Sequence, residues 1–187
     1  MSTKHCRALS LALALAPVGA SAQMMPNPYG PNIGVSTAKK AAAGALAEAR
    51  KNNWNMAVAV VDTAGNLVYF ERMDNTQTGS IRVAQEKART AAQFKRPSKA
   101  FEDAVPGRQA ILGLPGATPI EGGLPILSKG AIVGAIGLSG GTSPQDGQCA
   151  AAGVAAVGGA ATASAPATEA ATAQATSDGA RDGAKAP

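Results

Sequence analysis

The stretch GLPILSKGAIVGAIGLSGG, residues 123–141, decides the fold of this chain. It contains two apolar runs, 124–127 and 131–138, on either side of Ser128-Lys129-Gly130. Glycine at the third position can adopt the positive φ that a tight hairpin needs. Because the second run has no polar residue, it is typical of a central strand that is covered on both faces.

Two glycines, Gly134 and Gly137, lie inside the second run. Glycine weakens a strand and often marks a place where another group approaches the backbone closely. That group is either a packed helix or a flat ligand. The sequence favours the helix, and the ligand remains the alternative.

The first 22 residues predict a secretory signal peptide. Lys4 and Arg7 make the start basic, residues 8–16 form an apolar run too short to span a bilayer, and Ala20-Ser21-Ala22 is a small-residue cleavage site. We therefore expect a periplasmic or secreted protein without a membrane span.

Cleavage after Ala22 would remove His5, the only histidine, and one of the two cysteines. The remaining Cys149 cannot form a disulfide within the chain. Cleavage also lowers the formal net charge of +5 by the two charges of Lys4 and Arg7. A weakly basic chain with 3% aromatic residues does not favour a nucleic-acid partner.

The chain divides into a short N-terminal segment (23–31), a folded domain (32–157) and a tail (158–187). The tail consists mainly of Ala, Thr, Ser, Gly and Pro. It has almost no large apolar side chains to bury, so we expect it to be disordered. The central part has the size of a single domain.

The first half of the domain predicts a helix, a hairpin and a second helix. Ser36 or Thr37 is placed to cap a helix that ends near Lys51. The apolar run 56–61, the turn residues 62–66 and the run 67–72 predict a β-hairpin. Ser80 is then placed to cap a helix that ends near Phe94.

The second half predicts a short helix, a loop, the hairpin of 123–141 and a last helix. Ser98 is placed to cap a helix that extends to about residue 105, and residues 106–119 form a loop rich in Gly and Pro. Pro144 opens a helix that ends at Val157. This order predicts an α/β (α+β) fold in which helices cover a mostly antiparallel sheet.

Several blocks of sequence, in the right order, resemble the GlcG/HbpS family of haem-degrading proteins, which also includes the C-terminal domain of PduO-type cobalamin adenosyltransferases. The resemblance extends from about Ser36 to Val157. Its blocks are Asp62-x-x-Gly65-x-Leu67, Arg72-Met73-Asp74, Ser80-Ile81, Lys87-Ala88-x-Thr90-Ala91, Phe94-x-Arg96-Pro97, Gly122-Gly123-x-Pro125-Ile126 and Val133-Gly134-Ala135-Ile136-Gly137-x-Ser139-Gly140.

The resemblance implies a profilin-like three-layer α/β/α sandwich that forms homo-oligomers and binds haem. Some secreted members of the family are credited with haem breakdown and iron binding, whereas others are encoded beside glycolate or propanediol genes. We therefore consider a secreted haem-binding protein, with haem-degrading or iron-sequestering activity as an extension. The alternatives are an accessory protein or enzyme for a small organic acid, and a structural or partner-binding module of the same fold without a ligand.

Catalytic serine and zinc sites are disfavoured. Residues 137–141 match the G-x-S-x-G pattern of a serine nucleophile between a strand and a helix. Such a serine needs a histidine base, which the chain lacks after cleavage. The same absence disfavours zinc sites built on histidine, and one cysteine cannot form a cysteine cluster.

The haem iron would need a ligand other than histidine. Haem iron is usually bound by His, Cys, Met or Tyr. The sequence leaves several candidates open, with two hydroxyl groups as weak oxygen ligands: Met73, Tyr69, Tyr29 and Cys149, then Thr90 and Ser98.

Basic residues in the matching blocks and after the second helix, Arg72, Lys87, Lys95 and Arg96, could contact the haem propionates. The alternative is that they lie on a solvated helix face and form ion pairs with Glu71 or Glu86. No catalytic residue or metal ligand is assigned. The candidate ligand-binding residues are Arg72, Met73, Asp74, Lys87, Thr90, Arg96, Gly122, Gly123 and Ser139.

Overall fold

A computed structural model describes residues 27–159. The predicted signal peptide and nearly all of the predicted tail lie outside these residues. The elements, in chain order, are α1 (Val35–Lys51), β1 (Ala57–Val61), β2 (Leu67–Arg72), α2 (Ser80–Gln93), α3 (Lys99–Glu102), a 3-10 helix (Gln109–Gly113), β3 (Gly123–Ser128), β4 (Ala131–Ser139) and α4 (Ser143–Ala156).

The four strands form one sheet in the order β2-β1-β4-β3, and every neighbouring pair is antiparallel. Helices α1 and α4 pack together on one face, where Val58, Val60, Ile136 and Leu138 enter the core. Helix α2 covers the other face through a layer composed mainly of alanine. The predicted α+β sandwich with three layers is confirmed.

Strand β4 lies between β1 and β3 and is covered by helices on both faces, as its apolar sequence predicts. A Cβ on Gly137 would overlap the carbonyl oxygen of Ala84 in α2. The group that approaches this glycine is therefore a packed helix and not a flat ligand. A Cβ on Gly134 would overlap the carbonyl oxygen of Val61 on the neighbouring strand.

The turn between β3 and β4 has the expected conformation. Ser128 pairs with Ala131, so the loop consists of two residues. Lys129 and Gly130 both have positive φ, 50° and 79°. Two consecutive positive φ angles are the mark of a type I′ turn, whose twist matches that of the flanking strands.

Residues 28–33 hydrogen-bond to the first part of β4. The amide of Ile132 donates to the carbonyl of Pro28 (2.8 Å), and the amide of Ile33 donates to the carbonyl of Val133 (2.7 Å). Strand β1 pairs only with residues 135–139 of β4, so this segment fills the space beyond its end. Residues 28–31, which the sequence assigned to a separate segment, are therefore bonded to the sheet.

The structure corrects three predicted helix caps. Helix α1 is preceded by Gly34 instead of being capped by Ser36 or Thr37, and α2 is preceded by Gly79, so that Ser80 is its first residue. Ser98 precedes α3, but its side chain does not cap that helix. In each case the main chain forms the helix start without a side-chain acceptor.

Other element bounds differ modestly from the prediction. Helix α3 ends at Glu102 instead of about residue 105, and the predicted loop 106–119 contains the 3-10 helix. Helix α4 begins with a capping box in which Thr142 and Gln145 bond to each other's backbone amides. Within residues 27–159, no helix combines the length and apolar character needed to cross a bilayer.

Candidate functional site

Within the described residues, the nine candidate ligand residues do not meet in one cavity. A groove at the end of β2 is lined by Arg72, Met73 and Asp74. A small cavity at the start of β3 is lined by Gly122 and Gly123. The side chains of Lys87, Thr90 and Ser139 are buried, and Arg96 is exposed on the surface. Whether any of them contacts a ligand stays a prediction.

The groove at the end of β2, here called the polar groove, has a volume of about 380 Å³ and is lined by Arg50, Asn55, Glu71, Arg72, Met73, Asp74 and Asn75. Arg72 and Asp74 are exposed, whereas Met73 is half-buried and packs against the core. Apart from Met73, every residue that lines the polar groove has a polar or charged side chain. The polar groove therefore offers little apolar surface to the face of a porphyrin.

Lys87 forms a buried ion pair with Asp146. The ammonium nitrogen lies 2.7 Å from Oδ2 of Asp146, and the two side chains are 2% and 3% exposed. The predicted solvated position of Lys87, or its pairing with Glu71 or Glu86, is wrong. Those carboxylates lie beside arginines instead, at 3.6 Å and 2.9 Å from Arg50 and Arg89 respectively.

The ion pair between Lys87 and Asp146 joins α2, on one face of the sheet, to α4 on the other face. It lies next to Gly122, just before the start of β3. Burial raises the pKa of the Asp146 carboxyl above its usual value. The Lys87 ammonium and the amides of Gly141 and Gly140 offset only part of this rise. The amide of Gly141 donates to Oδ1 of Asp146 at 3.0 Å. Because Lys87 neutralises a buried carboxylate, using it for a ligand would leave Asp146 unpaired.

Gly122 and Gly123 close over this ion pair. Gly122 has a φ of +127°, and a Cβ there would lie 2.8 Å from Cβ of Asp146 and 3.0 Å from Nζ of Lys87. A Cβ on Gly123 would overlap the backbone carbonyl of Lys87. The pair of glycines is therefore required for packing, although both also line a cavity of about 90 Å³.

The buried hydroxyl groups already have hydrogen-bond partners. The hydroxyl of Thr90 donates to the carbonyl of Glu86 (2.8 Å) and accepts the amide of Thr118 (2.8 Å). Ser98 donates to the carbonyl of Ile120 (2.6 Å) and accepts the amide of Gly123 (2.9 Å). The Thr90 bonds join loop 114–123 to helix α2, and the Ser98 bonds join the same loop to the start of α3. Both hydroxyl groups are therefore poorly placed to bind iron.

Ser139 is also engaged, because its hydroxyl lies 3.0 Å from the hydroxyl of Ser80. Ser139 is 4% exposed and ends strand β4. The G-x-S-x-G pattern thus places its serine in a hydrogen bond that joins β4 to α2, and not at the surface where an acyl substrate could reach it.

The other candidate iron ligands are similarly occupied. The Tyr29 hydroxyl shares its one hydrogen between two carbonyl oxygens at the end of α2 (2.9 and 3.1 Å), and the Tyr69 hydroxyl donates to the Glu71 carboxylate (2.7 Å). Cys149 is fully buried, and burial raises the pKa of its thiol to about 11. Met73 lines the polar groove.

Arg96 is exposed and lies over the ring of Phe101, with 5.5 Å from its guanidinium carbon to the ring centre. Lys95 lies over the ring of Tyr29, with 4.1 Å from its ammonium nitrogen to the ring centre. Contacts of this kind stabilise the cation without removing it from solvent. The candidate cations therefore point to different parts of the surface.

Sequence reasoning missed a larger groove between the β3–β4 turn and the start of α1. This hairpin groove has a volume of about 450 Å³ and is lined by Pro31, Asn32, Ile33, Gly34, Thr37, Ser128, Lys129, Ala131 and Val133. Its two sides lie about a hundred residues apart in the chain, so no local motif marks it. In the sequence, Lys129 is marked only as a residue of the predicted turn.

The hairpin groove is amphipathic. Ile33, Val133, Ala131 and Pro31 give it an apolar surface, and the exposed Lys129 stands at its rim. Helix α1 begins in the groove without a side-chain cap and without an acidic residue in its first turn. The amides of that turn carry partial positive charge, which favours anionic groups. This combination suits a flat apolar molecule that carries carboxylates.

Comparisons with known proteins agree with this architecture. The chain is 44% identical over 93 residues to the protein GlcG of Escherichia coli. The aligned residues cover 49% of this chain and 69% of GlcG. The crystal structure of HbpS has a TM-score of 0.64 and 32% identity, with 67% of this chain and 90% of HbpS covered. A crystal structure of the PduOC–haem complex has a TM-score of 0.61 and 25% identity, with 67% of this chain and 94% of PduOC covered.

The model of one protein family also matches, over residues 33–155. Its description is "Haem degrading protein HbpS-like". The match spans about two thirds of the chain and nearly all of its described residues. This chain therefore belongs to the HbpS-like family of haem-degrading proteins.

Proposed function

We propose that this protein binds haem and that the hairpin groove is the binding site. The observation that carries the proposal is the meeting of an apolar wall, formed by Ile33 and Val133, with the cation Lys129 and the uncapped start of α1. Membership of the HbpS-like family and the similarity to PduOC, which was crystallised with haem, support haem as the ligand.

The residues of the hairpin groove suit the two parts of the haem molecule. The porphyrin face is apolar and would pack on Pro31, Ile33 and Val133. The propionates would lie near Lys129 and the first amides of α1. A groove of this volume is within the range of small-molecule sites, and micromolar binding corresponds to about 8 kcal/mol.

Haem bound here would lack a strong axial ligand from the described residues. The only histidine is His5, which lies in the predicted signal peptide, and the groove lining contains no Cys, Met or Tyr. Thr37 and Ser128 could offer only weak oxygen ligands. When bound, haem supplies an iron centre capable of redox and oxygen chemistry. The protein's own part is to hold the ring and neutralise the propionates.

Among residues 27–159, no cluster of three or more His, Cys, Asp or Glu side chains is arranged to hold a metal ion. We also propose that the protein is exported through residues 1–22, so that it meets haem outside the cytoplasm.

A matched pair of charge reversals tests the site. Lys129→Asp keeps a residue suited to positive φ at the turn but reverses the charge at the groove. Arg96→Glu reverses an exposed cation outside it. In haemin titrations followed at the Soret band, we expect Lys129→Asp to weaken binding about tenfold, roughly 1.4 kcal/mol, and Arg96→Glu to leave it unchanged. The reverse order, or equal losses, would place the propionates elsewhere.

A further inference from the structure

A second groove lies at the opposite end of β4 from the hairpin groove. It consists of the polar groove and an adjoining cavity of about 350 Å³, which share Asn55 and Asn75. We call the two together the amide groove. The adjoining cavity is lined by Asn53, Trp54, Asn55, Asn75, Gln77, Gly140, Gly141 and Gln145.

Three asparagines line this groove, and their side-chain amides form no hydrogen bond with the protein within residues 27–159. The three, Asn53, Asn55 and Asn75, are exposed. Each carboxamide offers two donors and an acceptor. A hydroxyl group also donates and accepts, so a set of amides matches a ligand with several hydroxyls.

Two of the three asparagines have a left-handed backbone. Asn53 has a φ of 57° and Asn75 a φ of 62°. Asparagine adopts this conformation more readily than most residues other than glycine, because its short polar side chain can hydrogen-bond locally. Asn53 follows the end of α1 and Asn75 follows the end of β2, so two rigid elements fix where the amides start.

The charges around the amide groove balance. Arg50 and Arg72 are matched by Glu71 and Asp74, and the first arginine lies 3.6 Å from the Glu71 carboxylate. A groove with equal numbers of cations and anions generates little field to attract a charged ligand. This balance separates it from the hairpin groove, where the lining has Lys129 and no acidic residue.

The single tryptophan of the chain, Trp54, lies among these amides and is half-buried against the core. An indole offers apolar surface beside polar groups. Ring-shaped or chain-like polyols carry C–H groups as well as hydroxyls, so an aromatic side chain surrounded by amides suits both parts of such a molecule.

We propose that the amide groove binds a neutral polyhydroxylated small molecule, a sugar or polyol. The site is independent of the haem proposal, because the two grooves share no lining residue. The ligand's hydroxyls bond to Asn53, Asn55 and Asn75, and its C–H surface packs on Trp54.

The position of Trp54 provides the test. Titration of the mature protein with D-glucose or glycerol should change tryptophan fluorescence in a saturable way at millimolar concentration, and saturation-transfer NMR should show contact with the sugar protons. Asn55→Ala, and Asn75→Gly, which keeps the positive φ, should each weaken binding about three- to tenfold. Gln109→Ala removes an exposed amide outside the groove and should change nothing.

Three results would overturn the proposal. One is the absence of saturable binding of either polyol by both fluorescence and NMR. Another is unchanged glucose affinity in both asparagine variants, which would move the site away from this groove. The third is saturable binding of glycolate in preference to glucose, with loss in Asn55→Ala, which would show that the groove recognises a small carboxylate.

Discussion

Replacing Lys87 by methionine should destabilise the protein strongly. The substitution keeps most of the side-chain volume but removes the ammonium group 2.7 Å from the Asp146 carboxylate, at a position that is 2% exposed. Removing one partner of a buried ion pair typically costs about 3–5 kcal/mol, because the other charge is left without compensation. Total stabilities of domains are about 5–15 kcal/mol, so this loss is a large fraction.

The cost should depend on pH. Burial already raises the pKa of Asp146 while Lys87 is present, and without the ammonium that pKa should rise further. A raised pKa in the folded state means that the carboxyl's contribution to stability is fully present below its unfolded pKa and is lost as pH rises through the folded pKa. We therefore expect Lys87→Met to be less destabilising at pH 5 than at pH 8.

Urea unfolding of the protein, followed by circular dichroism, measures the loss of stability and its dependence on pH. Lys99→Met is the matched control, because Lys99 also pairs with an aspartate but its side chain is 43% exposed. Exposed pairs contribute at most about 1 kcal/mol, so the control should unfold nearly like the wild type. The double variant Lys87→Met/Asp146→Asn should recover part of the loss. Equal, small losses in both single lysine variants would refute the buried pair.

Three further predictions follow from the packing, the buried thiol and the N-terminal sequence. Gly137→Ala should lower the free energy of unfolding by about 3 kcal/mol in urea, because the new Cβ would overlap the Ala84 carbonyl oxygen. The control Gly79→Ala, which has open space around it, should stay within about 0.5 kcal/mol of the wild type. Similar losses in both variants would show that α2 moves easily to make room. Cys149, whose thiol pKa is raised to about 11, should react with a disulfide reagent at pH 8 only when urea unfolds the protein; rapid labelling of the folded protein would contradict its burial. Mass spectrometry of exported protein should find Gln23 at the N-terminus, and an intact Met1 would exclude the predicted cleavage.

The sequence predicted those features that depend on local pattern. The uninterrupted apolar run 131–138 indicated the central strand, and Gly130 indicated the hairpin turn that the structure shows. The order of helices and hairpins indicated the sandwich, because each element's apolar face must be covered by the next layer. Family resemblance then narrowed the fold to the one observed.

Features that depend on distant partners were not predictable in this way. Asp146 looks like an ordinary acidic residue in the first turn of a helix, and its partner Lys87 lies 59 positions earlier. Ser80 and Ser98 resemble helix caps, but their hydroxyls bond to Ser139 and to the loop before β3. The tertiary partner, which local sequence does not show, decided the role of each side chain.

The candidate site shows the same division. Motifs at the end of β2 and the start of β3 suggested one ligand site, and the structure separates them. The hairpin groove arises where residues 31–37 meet residues 128–133, and neither stretch carries a binding motif by itself. Only Lys129 could have given a signal, as a cation in a two-residue turn beside a helix start.

Titration of the protein with haemin, followed by absorption and electron paramagnetic resonance, tests the central proposal most directly. We expect a shifted Soret band that saturates at one haem per subunit with micromolar affinity, and a high-spin iron, because the groove offers no strong axial ligand. The spectrum should not change in Met73→Ala. A Soret band identical to that of haemin in buffer would contradict haem binding, and a low-spin iron abolished by Met73→Ala would place haem in the polar groove.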